Sequence, residues 1–274
     1  MEKKALKVAK RGKREFICGV HASLAALERG PERVRHLYIA AGRTGEPGTR
    51  ARKLAEIAGI SMDESPARAL DELAGTRQHQ GLVVEVLPTP VLGLDALLEG
   101  QPPNRPPILL LDGIQDPRNL GAILRTAAAL GAGGAVWPRD AAADLTPTVA
   151  KAAAGALESL PLSRVTNMVR AVSAVKEAGY WVLAGDLEGE VTLGESELPR
   201  PAALVLGREG KGVRRLVRES CDIGVRIPLA GGIVGALNVA VAAGILLFAL
   251  AGNETQTQIR SAPLDGGNLS HPNA

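Results

Sequence analysis

The chain has 274 residues, which is enough for two domains of ordinary size. Hydrophobic residues make up 46% of it and aromatic residues only 2%, so the core must be aliphatic, and a nucleic-acid site built on many stacked rings is disfavoured. The net charge of +3 is mild, so the position of the charges is more informative than their sum.

Two further features of the composition bear on metal sites and on location. Cys18 and Cys221 lie far apart, and neither they nor the four His residues show the spacing of metal ligands, so we predict no metal site. The basic N-terminus is not followed by the apolar stretch of a signal peptide, so we expect a cytoplasmic protein.

The first segment, residues 1–14, is a basic arm with seven Lys or Arg and one acidic residue. Such an arm is typical of a disordered, solvated tail. Its charge also favours attraction to a nucleic-acid backbone, which is independent of base sequence and sensitive to salt.

Residues 15–87 predict a small α/β unit. Helices are expected at 21–30, 50–59 and 67–75, the first two ended by glycine, and Val-rich or aliphatic strands at 34–40 and 81–88. A linker rich in Pro and Gly follows over 88–106, around a possible short helix.

Residues 107–252 alternate between apolar strands and helices, which predicts a parallel sheet covered by helices on both faces. One predicted helix, over 145–159, begins with Thr146 as its N-cap and Pro147 at its first position. The polar tail over 253–274 is expected to be disordered. The predicted strands are 108–112, 133–137, 162–165, 180–186, 202–207 and 223–228.

An uncharged segment of 24 residues, from Leu229 to Gly252, is long enough to be a membrane span. Against that interpretation, three glycines interrupt its first third, and the steadily helical part begins only at Asn238. We therefore predict a helix buried in a protein core or a subunit interface, and no membrane span.

Three loops that follow predicted strands carry a surplus of polar residues and glycines: DGIQDPRNLG over 112–121, GREGKG over 207–212 and PLAGGIVGALN over 228–238. Ligands of open α/β sheets bind at the carboxyl ends of the strands, and glycine lets the backbone approach a ligand closely. Neither glycine-rich loop matches a Walker or a dinucleotide-binding motif. Together the three loops indicate a ligand site at one edge of the sheet.

DPRNLGAILR, LVLGREGKGV and IPLAGGIVGALNVAVAAG resemble, in order and spacing, the three signature motifs of the SpoU family of RNA 2′-O-ribose methyltransferases, in the SPOUT superfamily. GVHASLAALERGPERV resembles the N-terminal domain of the ribosomal RNA guanosine methyltransferases of this family. The resemblance runs from about residue 16 to residue 250.

The resemblance implies a catalytic domain over 107–252 whose parallel α/β sheet ends in a deep trefoil knot. Before it, over 15–87, it implies a small α/β domain that resembles ribosomal proteins and binds substrate RNA. It also implies S-adenosylmethionine as cofactor, and a homodimer in which both subunits contribute near the active site. The implied activity is 2′-O-methylation of RNA, with a guanosine of 23S ribosomal RNA as the expected target.

Motif matching carries the family's functional residues to seven positions. Arg125 would stabilise the developing charge on the 2′-oxygen and bind a phosphate, since a guanidinium keeps its proton in proteins. Glu209 would orient Arg125 or a backbone group. The implied catalytic residues are Asn119, Arg125, Glu209 and Asn238, and the implied cofactor-binding residues are Gly207, Ile227 and Leu237.

Simpler interpretations of the same residues stay open. Asn119 and Asn238 could be helix caps, Arg125 a surface cation, and Glu209 a carboxylate favoured by a helix N-terminus. The third motif also departs from the family pattern, because Ala236 stands where the family has serine and the loop before it is one residue longer. Two alternatives follow: a non-catalytic RNA-binding or ribosome-assembly protein of this fold, or a methyltransferase of transfer RNA or of antibiotic resistance.

Overall fold

The computed structural model of the protein describes residues 15–230 and 235–251. The predicted basic arm over 1–14 and the predicted polar tail over 253–274 lie outside the described residues, as does the segment 231–234 of the third glycine-rich loop. The disorder expected of the arm and tail therefore stays a prediction.

The N-terminal sheet has four strands in the order β1-β4-β2-β3. Strands β2 and β3 are parallel, and the other neighbours are antiparallel. Three helices accompany the sheet. The strands are β1 (Glu15–Cys18), β2 (Val34–Ala40), β3 (Ser61–Ser65) and β4 (Leu82–Val86), and the helices are α1 (Val20–Arg29), α2 (Glu46–Ile57) and α3 (Ala67–Ala74).

The sequence prediction for this sheet was incomplete, since it contained β2 and β4 but neither β1 nor β3. Both missing strands lie at the edges of the sheet. Strand β3, with the sequence SMDES, is mostly exposed and lacks the apolar alternation that marks a half-buried strand. Strand β1 has only four residues, too few to show a period.

The second sheet has seven strands in the order β7-β6-β5-β10-β8-β11-β9, and all its neighbouring strands are parallel, as predicted. Six helices accompany it. The strands are β5 (Ile108–Leu111), β6 (Gly134–Pro138), β7 (Leu162–Val165), β8 (Trp181–Gly185), β9 (Val191–Thr192), β10 (Ala202–Leu206) and β11 (Ile223–Arg226). The helices are α4 (Leu94–Glu99), α5 (Pro117–Ala129), α6 (Pro147–Ala153), α7 (Met168–Glu177), α8 (Arg215–Ser220) and α9 (Val239–Leu250).

Strand β5 shows why the strands of this sheet read as continuous apolar runs. All four of its residues are fully buried. Leu109 and Leu111 pack in one core with α5 and α9, whereas Ile108 and Leu110 pack in another with α7. Because successive side chains point to opposite faces, a strand covered on both faces has no polar positions.

The helix predicted over 145–159 is shorter than expected. It begins as predicted, since the Thr146 hydroxyl accepts a hydrogen bond from the Val149 N–H, but α6 ends at Ala153. Gly155 then has a φ of +92°, and a Cβ atom at this position would lie 2.3 Å from that of Ala25 in α1. The chain turns here because α1 packs against it, a tertiary contact that helix propensity does not contain.

Helix α9 forms the second half of the uncharged segment. It has 12 residues and packs against α5 and β10. In 15–230 and 235–251, no helix has both the length and the apolar character needed to cross a membrane. One side of α9 is buried, while Val241, Ile245 and Phe248 remain exposed on the other.

A buried junction joins the N-terminal sheet to the second sheet. The Arg33 guanidinium forms an ion pair with Glu158 and donates to the Leu87 carbonyl and the Thr89 hydroxyl. The side chains of Arg33 and Glu158 are only 10% and 3% exposed. Burial raises the pKa of Glu158, and the charge and hydrogen bond of Arg33 oppose that rise. We call Arg33, Leu87, Thr89 and Glu158 the Arg33 junction.

Candidate active site

The three loops singled out in the sequence meet at one edge of the second sheet. Strands β5 and β10 are hydrogen-bonded neighbours, so the loops after Leu111 and Leu206 leave the sheet side by side. The third loop follows β11 and leads into α9, which packs on both α5 and β10. The parallel arrangement therefore brings together residues that are far apart in the chain.

Three of the predicted catalytic residues form one hydrogen-bonded network. The Asn119 amide nitrogen donates to Glu209 Oε2 at 3.2 Å. The Asn238 amide nitrogen donates to Asn119 Oδ1 and to Glu209 Oε1, both at 3.1 Å. Glu209 thus holds one amide with each carboxylate oxygen. The alternative that Glu209 serves the N-terminus of α8 is not supported, because α8 begins only at Arg215.

The two asparagines differ in their relation to their helices. Asp116, not Asn119, is the N-cap of α5, since its carboxylate accepts from the Arg118 N–H at 2.7 Å. The interpretation of Asn119 as a cap is therefore wrong. Asn238 is the N-cap of α9: its Oδ1 accepts from the Ala240 N–H at 2.9 Å, while its amide nitrogen serves the network.

Counting hydrogen-bonding groups shows what the network leaves open. An amide nitrogen has two hydrogens, and Asn238 uses both. Asn119 uses one hydrogen and one lone pair of its oxygen. Asn119 therefore retains one donor and one acceptor for a ligand.

A cavity of about 380 Å³ lies beside the network, between the loops that follow β8, β10 and β11. Its size falls within the range of about 300–1,000 Å³ typical of small-molecule sites. Leu206, Leu229 and Leu246 give it apolar walls, and Glu209 lies at its border with the network. The three predicted cofactor-binding residues, Gly207, Ile227 and Leu237, line this cavity. Ala236 lines it as well.

A second cavity, of about 240 Å³, lies on the other side of Glu209. It is more polar than the first, and four residues line both cavities: Arg208, Glu209, Lys211 and Val239. Its remaining lining comes from the loop after β5 and the first turn of α5: Ile114, Gln115, Asp116 and Asn119. The network of Asn119, Glu209 and Asn238 therefore lies where the two cavities adjoin.

Arg125 does not contact this network within a single subunit. It lies on the exposed face of α5 and lines neither cavity. Six residues along a helix correspond to about 9 Å of rise and about 240° of rotation, which places Arg125 on another face than Asn119. Over 15–230 and 235–251 no hydrogen bond or ion pair involves its side chain. The expected contact with Glu209 is absent there, since that carboxylate binds the two amides instead.

Sequence reasoning assigned no role to Asp112, which supports the second loop. Its carboxylate is fully buried at the end of β5. It accepts from the Arg214 backbone N–H at 2.9 Å and from Nε and Nη2 of the Arg214 side chain at 2.9 and 2.5 Å. These hydrogen bonds raise the pKa of Arg214. Asp112 therefore fixes the far end of the loop that carries Glu209. The position of this carboxylate, directly after an apolar strand, was the sequence feature that could have indicated its supporting role.

Comparison with known proteins gives consistent results along the chain. Residues 106–248 match the SpoU rRNA Methylase family, and residues 16–90 match the domain described as RNA 2′-O ribose methyltransferase substrate binding. The chain is 44% identical over 239 residues to the 23S rRNA (guanosine-2′-O-)-methyltransferase RlmB of Pseudomonas syringae, covering 85% of this chain and 94% of that protein. It is 45% identical over 240 residues to the protein of the same name from Pseudomonas aeruginosa, with the same coverage of 85% and 94%.

Solved structures show the same architecture. The SpoU methyltransferase AviRb from Streptomyces viridochromogenes, in complex with the cofactor AdoMet, superposes with a TM-score of 0.73 at 28% identity, over 90% of this chain and 91% of that chain. A crystal structure of an RNA 2′-O ribose methyltransferase gives a TM-score of 0.72 at 25% identity, over 89% of each chain.

The fold class predicted from the sequence, a parallel α/β domain preceded by a small α/β domain, is confirmed. The trefoil knot implied by the resemblance stays a prediction, because residues 231–234 lie outside the described part of the chain. One family model spans more than half of the sequence. Two relatives, each aligned over 94% of its length, are more than 40% identical to this chain. The chain belongs to the SpoU rRNA methylase family.

Proposed function

We propose that the protein transfers the methyl group of S-adenosylmethionine to a ribose 2′-hydroxyl of RNA, at a guanosine of 23S ribosomal RNA. The observation that carries the proposal is the network of Asn119, Glu209 and Asn238, which lies between an apolar cavity and a polar one. The relatives that share both matched regions are named as enzymes acting on guanosine in 23S rRNA, which supports this substrate.

The first cavity fits the cofactor in size and in chemistry. Its walls are apolar, and Asp186 and Glu188 also line it. Asp186 already accepts from Arg218 and from the Glu188 N–H, so Glu188 is the carboxylate that would accept from hydroxyl or ammonium groups. The backbone of Gly207, Ile227 and Leu237 would hold the cofactor. When bound, S-adenosylmethionine would supply an electrophilic methyl group, because its positively charged sulfur is a good leaving group.

The network would position the ribose. Asn119 would use its free donor and acceptor on the 2′- and 3′-hydroxyl groups, and Glu209 would hold both asparagine amides in the orientation that this requires. Such preorganised groups reduce the entropy lost in reaching the reactive geometry.

A homodimer would complete the site. Val241, Ile245 and Phe248 form an exposed apolar stripe on α9, and an apolar helix face of this kind is typical of an interface. Helix α5 lies against α9, where Thr126 is the nearest side chain to Gly244, so Arg125 is close to this stripe. A second copy placed there would bring Arg125 to the partner's site, where it would stabilise the developing charge on the 2′-oxygen.

The RNA would bind across both sheets. The domain over 15–87 would hold ribosomal RNA, and the arm over 1–14 would add attraction to phosphate that does not depend on base sequence. A ribosomal RNA substrate also supports the expected location in the cytoplasm. The linker over 88–106 would join the two substrate-binding parts.

The proposed function is tested by mapping 2′-O-methyl groups on ribosomal RNA with and without the protein, and by measuring single-turnover transfer of labelled methyl. We expect Arg125→Ala to lower transfer by about 100- to 1,000-fold with little change in cofactor affinity. Arg125→Lys should also fail substantially, because lysine lacks the planar fork of donors that binds two oxygens.

Arg118→Ala is the matched control, since Arg118 is exposed on the same helix and lines neither cavity. A fully active Arg125→Ala variant would disprove the role given to Arg125. If the protein binds S-adenosylmethionine but methylates no ribosomal or transfer RNA, the alternative of a non-catalytic RNA-binding protein is correct.

A further inference from the structure

Arg208 is a half-buried cation beside the site to which neither the sequence motifs nor the proposed mechanism gives a role. It lies between Gly207 of the cofactor cavity and Glu209 of the network. Its Nε is buried and has no hydrogen-bond partner within the described residues. A guanidinium that has no partner among the described residues and borders two cavities is available to bind an anionic ligand.

The Arg208 side chain lies on the side of the second cavity. A methyl group built at Gly113 would lie 2.9 Å from its Nε and 3.4 Å from its Nη2, so the guanidinium packs over this glycine. Ile114 and Asp116, which follow Gly113, line the second cavity and not the first. The missing side chain at Gly113, whose φ is +83°, provides the space for the guanidinium.

Two cations and two carboxylates line the second cavity, and they differ in whether they have partners. Lys211 also lines this cavity, and in 15–230 and 235–251 neither cation has an ion pair. The two carboxylates keep their charge but accept hydrogen bonds from other groups, because Asp116 caps α5 and Glu209 binds two amides. Two cations without ion-pair partners among the described residues therefore border the same cavity as Asn119, the residue that would hold the ribose.

We propose that Arg208, assisted by Lys211, binds the phosphodiester group next to the methylated ribose. The proposal rests on the proposed function and identifies the second cavity as the site of the target nucleotide. Arg208 is then a substrate-binding residue within each subunit, distinct from Arg125. An arginine suits this position because its planar fork donates to two phosphate oxygens at once.

The experiment compares Arg208→Gln and Arg208→Lys with the parent and with Arg215→Ala. Arg215 is an exposed arginine that pairs with Glu219 on α8 and lines neither cavity. Equilibrium binding of an unmethylated 23S ribosomal RNA transcript is measured over a range of salt concentrations. Binding of S-adenosylmethionine is measured by calorimetry, and transfer by single turnover.

We expect Arg208→Gln to weaken RNA binding and lower kcat/KM for RNA by roughly 10- to 100-fold, with cofactor affinity within about twofold of the parent. The slope of log affinity against log salt should become less negative by about 0.7, the loss of one phosphate contact on single-stranded RNA. Arg208→Lys should keep the parent slope, since it keeps the charge, but recover only part of the transfer rate. Arg215→Ala should match the parent.

Two results would overturn the proposal. The first is an Arg208→Gln variant that binds and methylates RNA like the parent. The second is a variant that loses cofactor affinity with RNA binding unchanged, which would assign the guanidinium to the cofactor carboxylate. If the parent transfers no methyl group to any RNA, the proposed function fails, but the salt slopes of RNA binding still decide whether Arg208 contacts phosphate.

Discussion

At the scale of single residues, Asn238 has two tasks that substitution can separate. Its oxygen caps α9 and its nitrogen serves the network. Serine is a good N-cap and alanine is not, so Asn238→Ser should keep the stability of the parent while Asn238→Ala loses about 1 kcal/mol. Both variants lack the amide donor, and both should lose transfer to a similar extent, by about 100-fold.

Chemical denaturation and single-turnover transfer on the same preparations give the two readouts. If Asn238→Ser kept full transfer, the amide nitrogen would have no part in the reaction. If the two variants were equally stable, the hydrogen bond to Ala240 would contribute nothing to α9.

Ala236 leads to a second prediction at this scale. It is exposed and lines the cofactor cavity two residues before Asn238. Ala236→Ser adds a hydroxyl donor at the position where the resemblance implies serine, and we expect transfer to become about tenfold faster, which needs only about 1.4 kcal/mol at the transition state. Ala242→Ser is the control, since Ala242 lines the same cavity from α9. A slower Ala236→Ser enzyme would mean that the longer loop has adapted the site to alanine.

The sequence predicts some residues of the site well and others not at all. Asn119, Glu209 and Asn238 each follow an apolar strand of a parallel sheet, and that arrangement alone brings strand ends together. Arg208 lies in the same loop as Glu209, but the position of its guanidinium depends on Gly113. That glycine is distant in the chain and close only in the fold. A contact of this kind has no local pattern, so the structure was needed to find it.

At the scale of elements, α9 predicts the oligomeric state. Its exposed stripe of Val241, Ile245 and Phe248 repeats at helical spacing, and Phe248 is 53% exposed. Phe248→Glu would place a charge in the proposed interface, and we expect it to convert a dimer into a monomer of 28.4 kDa and to abolish transfer. Light scattering at micromolar concentration measures the mass.

Ile57→Glu is the control for this change, because Ile57 is 74% exposed on α2 of the N-terminal sheet, away from α9. It should leave both the mass and the transfer rate unchanged. A parent protein that is already monomeric and active would refute the dimer and the transfer of Arg125 between subunits.

Strands and helices could be predicted from the sequence where they are buried, because burial imposes an apolar pattern. Strand β5 and its parallel neighbours carry unbroken apolar runs because helices cover both of their faces. The edge strand β3 has no such run, because most of its residues face solvent, so its five residues were missed. The end of α6 was misplaced because its alanine-rich sequence favours a helix, whereas Gly155 must fit against Ala25.

At the scale of the whole molecule, the Arg33 junction makes the stability of the two-sheet assembly depend on pH. Arg33→Met leaves Glu158 buried without its partner, which costs roughly 3–5 kcal/mol at neutral pH. Burial already raises the pKa of Glu158, and losing Arg33 removes the opposing effect. An acid whose pKa is raised by folding stabilises the fold when it is protonated, so that contribution is lost as the pH rises through the folded pKa.

We therefore expect the loss of unfolding free energy in Arg33→Met, relative to the parent, to become smaller as the pH is lowered. Denaturant unfolding at several pH values measures it. The double variant Arg33→Met with Glu158→Gln removes the titrating group, and its deficit should not change with pH. An Arg33→Met deficit that grows as the pH falls would show that Glu158 is not the group responsible.

The position of α9 in the chain has a consequence for how the protein matures on the ribosome. Among the described elements α9 is synthesised last, yet it covers α5 and β10, which are made well before it. Until α9 emerges, Leu109, Ile123 and Leu204 of that core lack their cover, and the cofactor cavity lacks its wall at Leu246. A nascent chain that ends before Asn238 therefore gains no stability from the cofactor, since only the completed fold binds it. Before that point, the growing chain exposes part of this core, and exposed apolar surface makes a folding intermediate prone to aggregation.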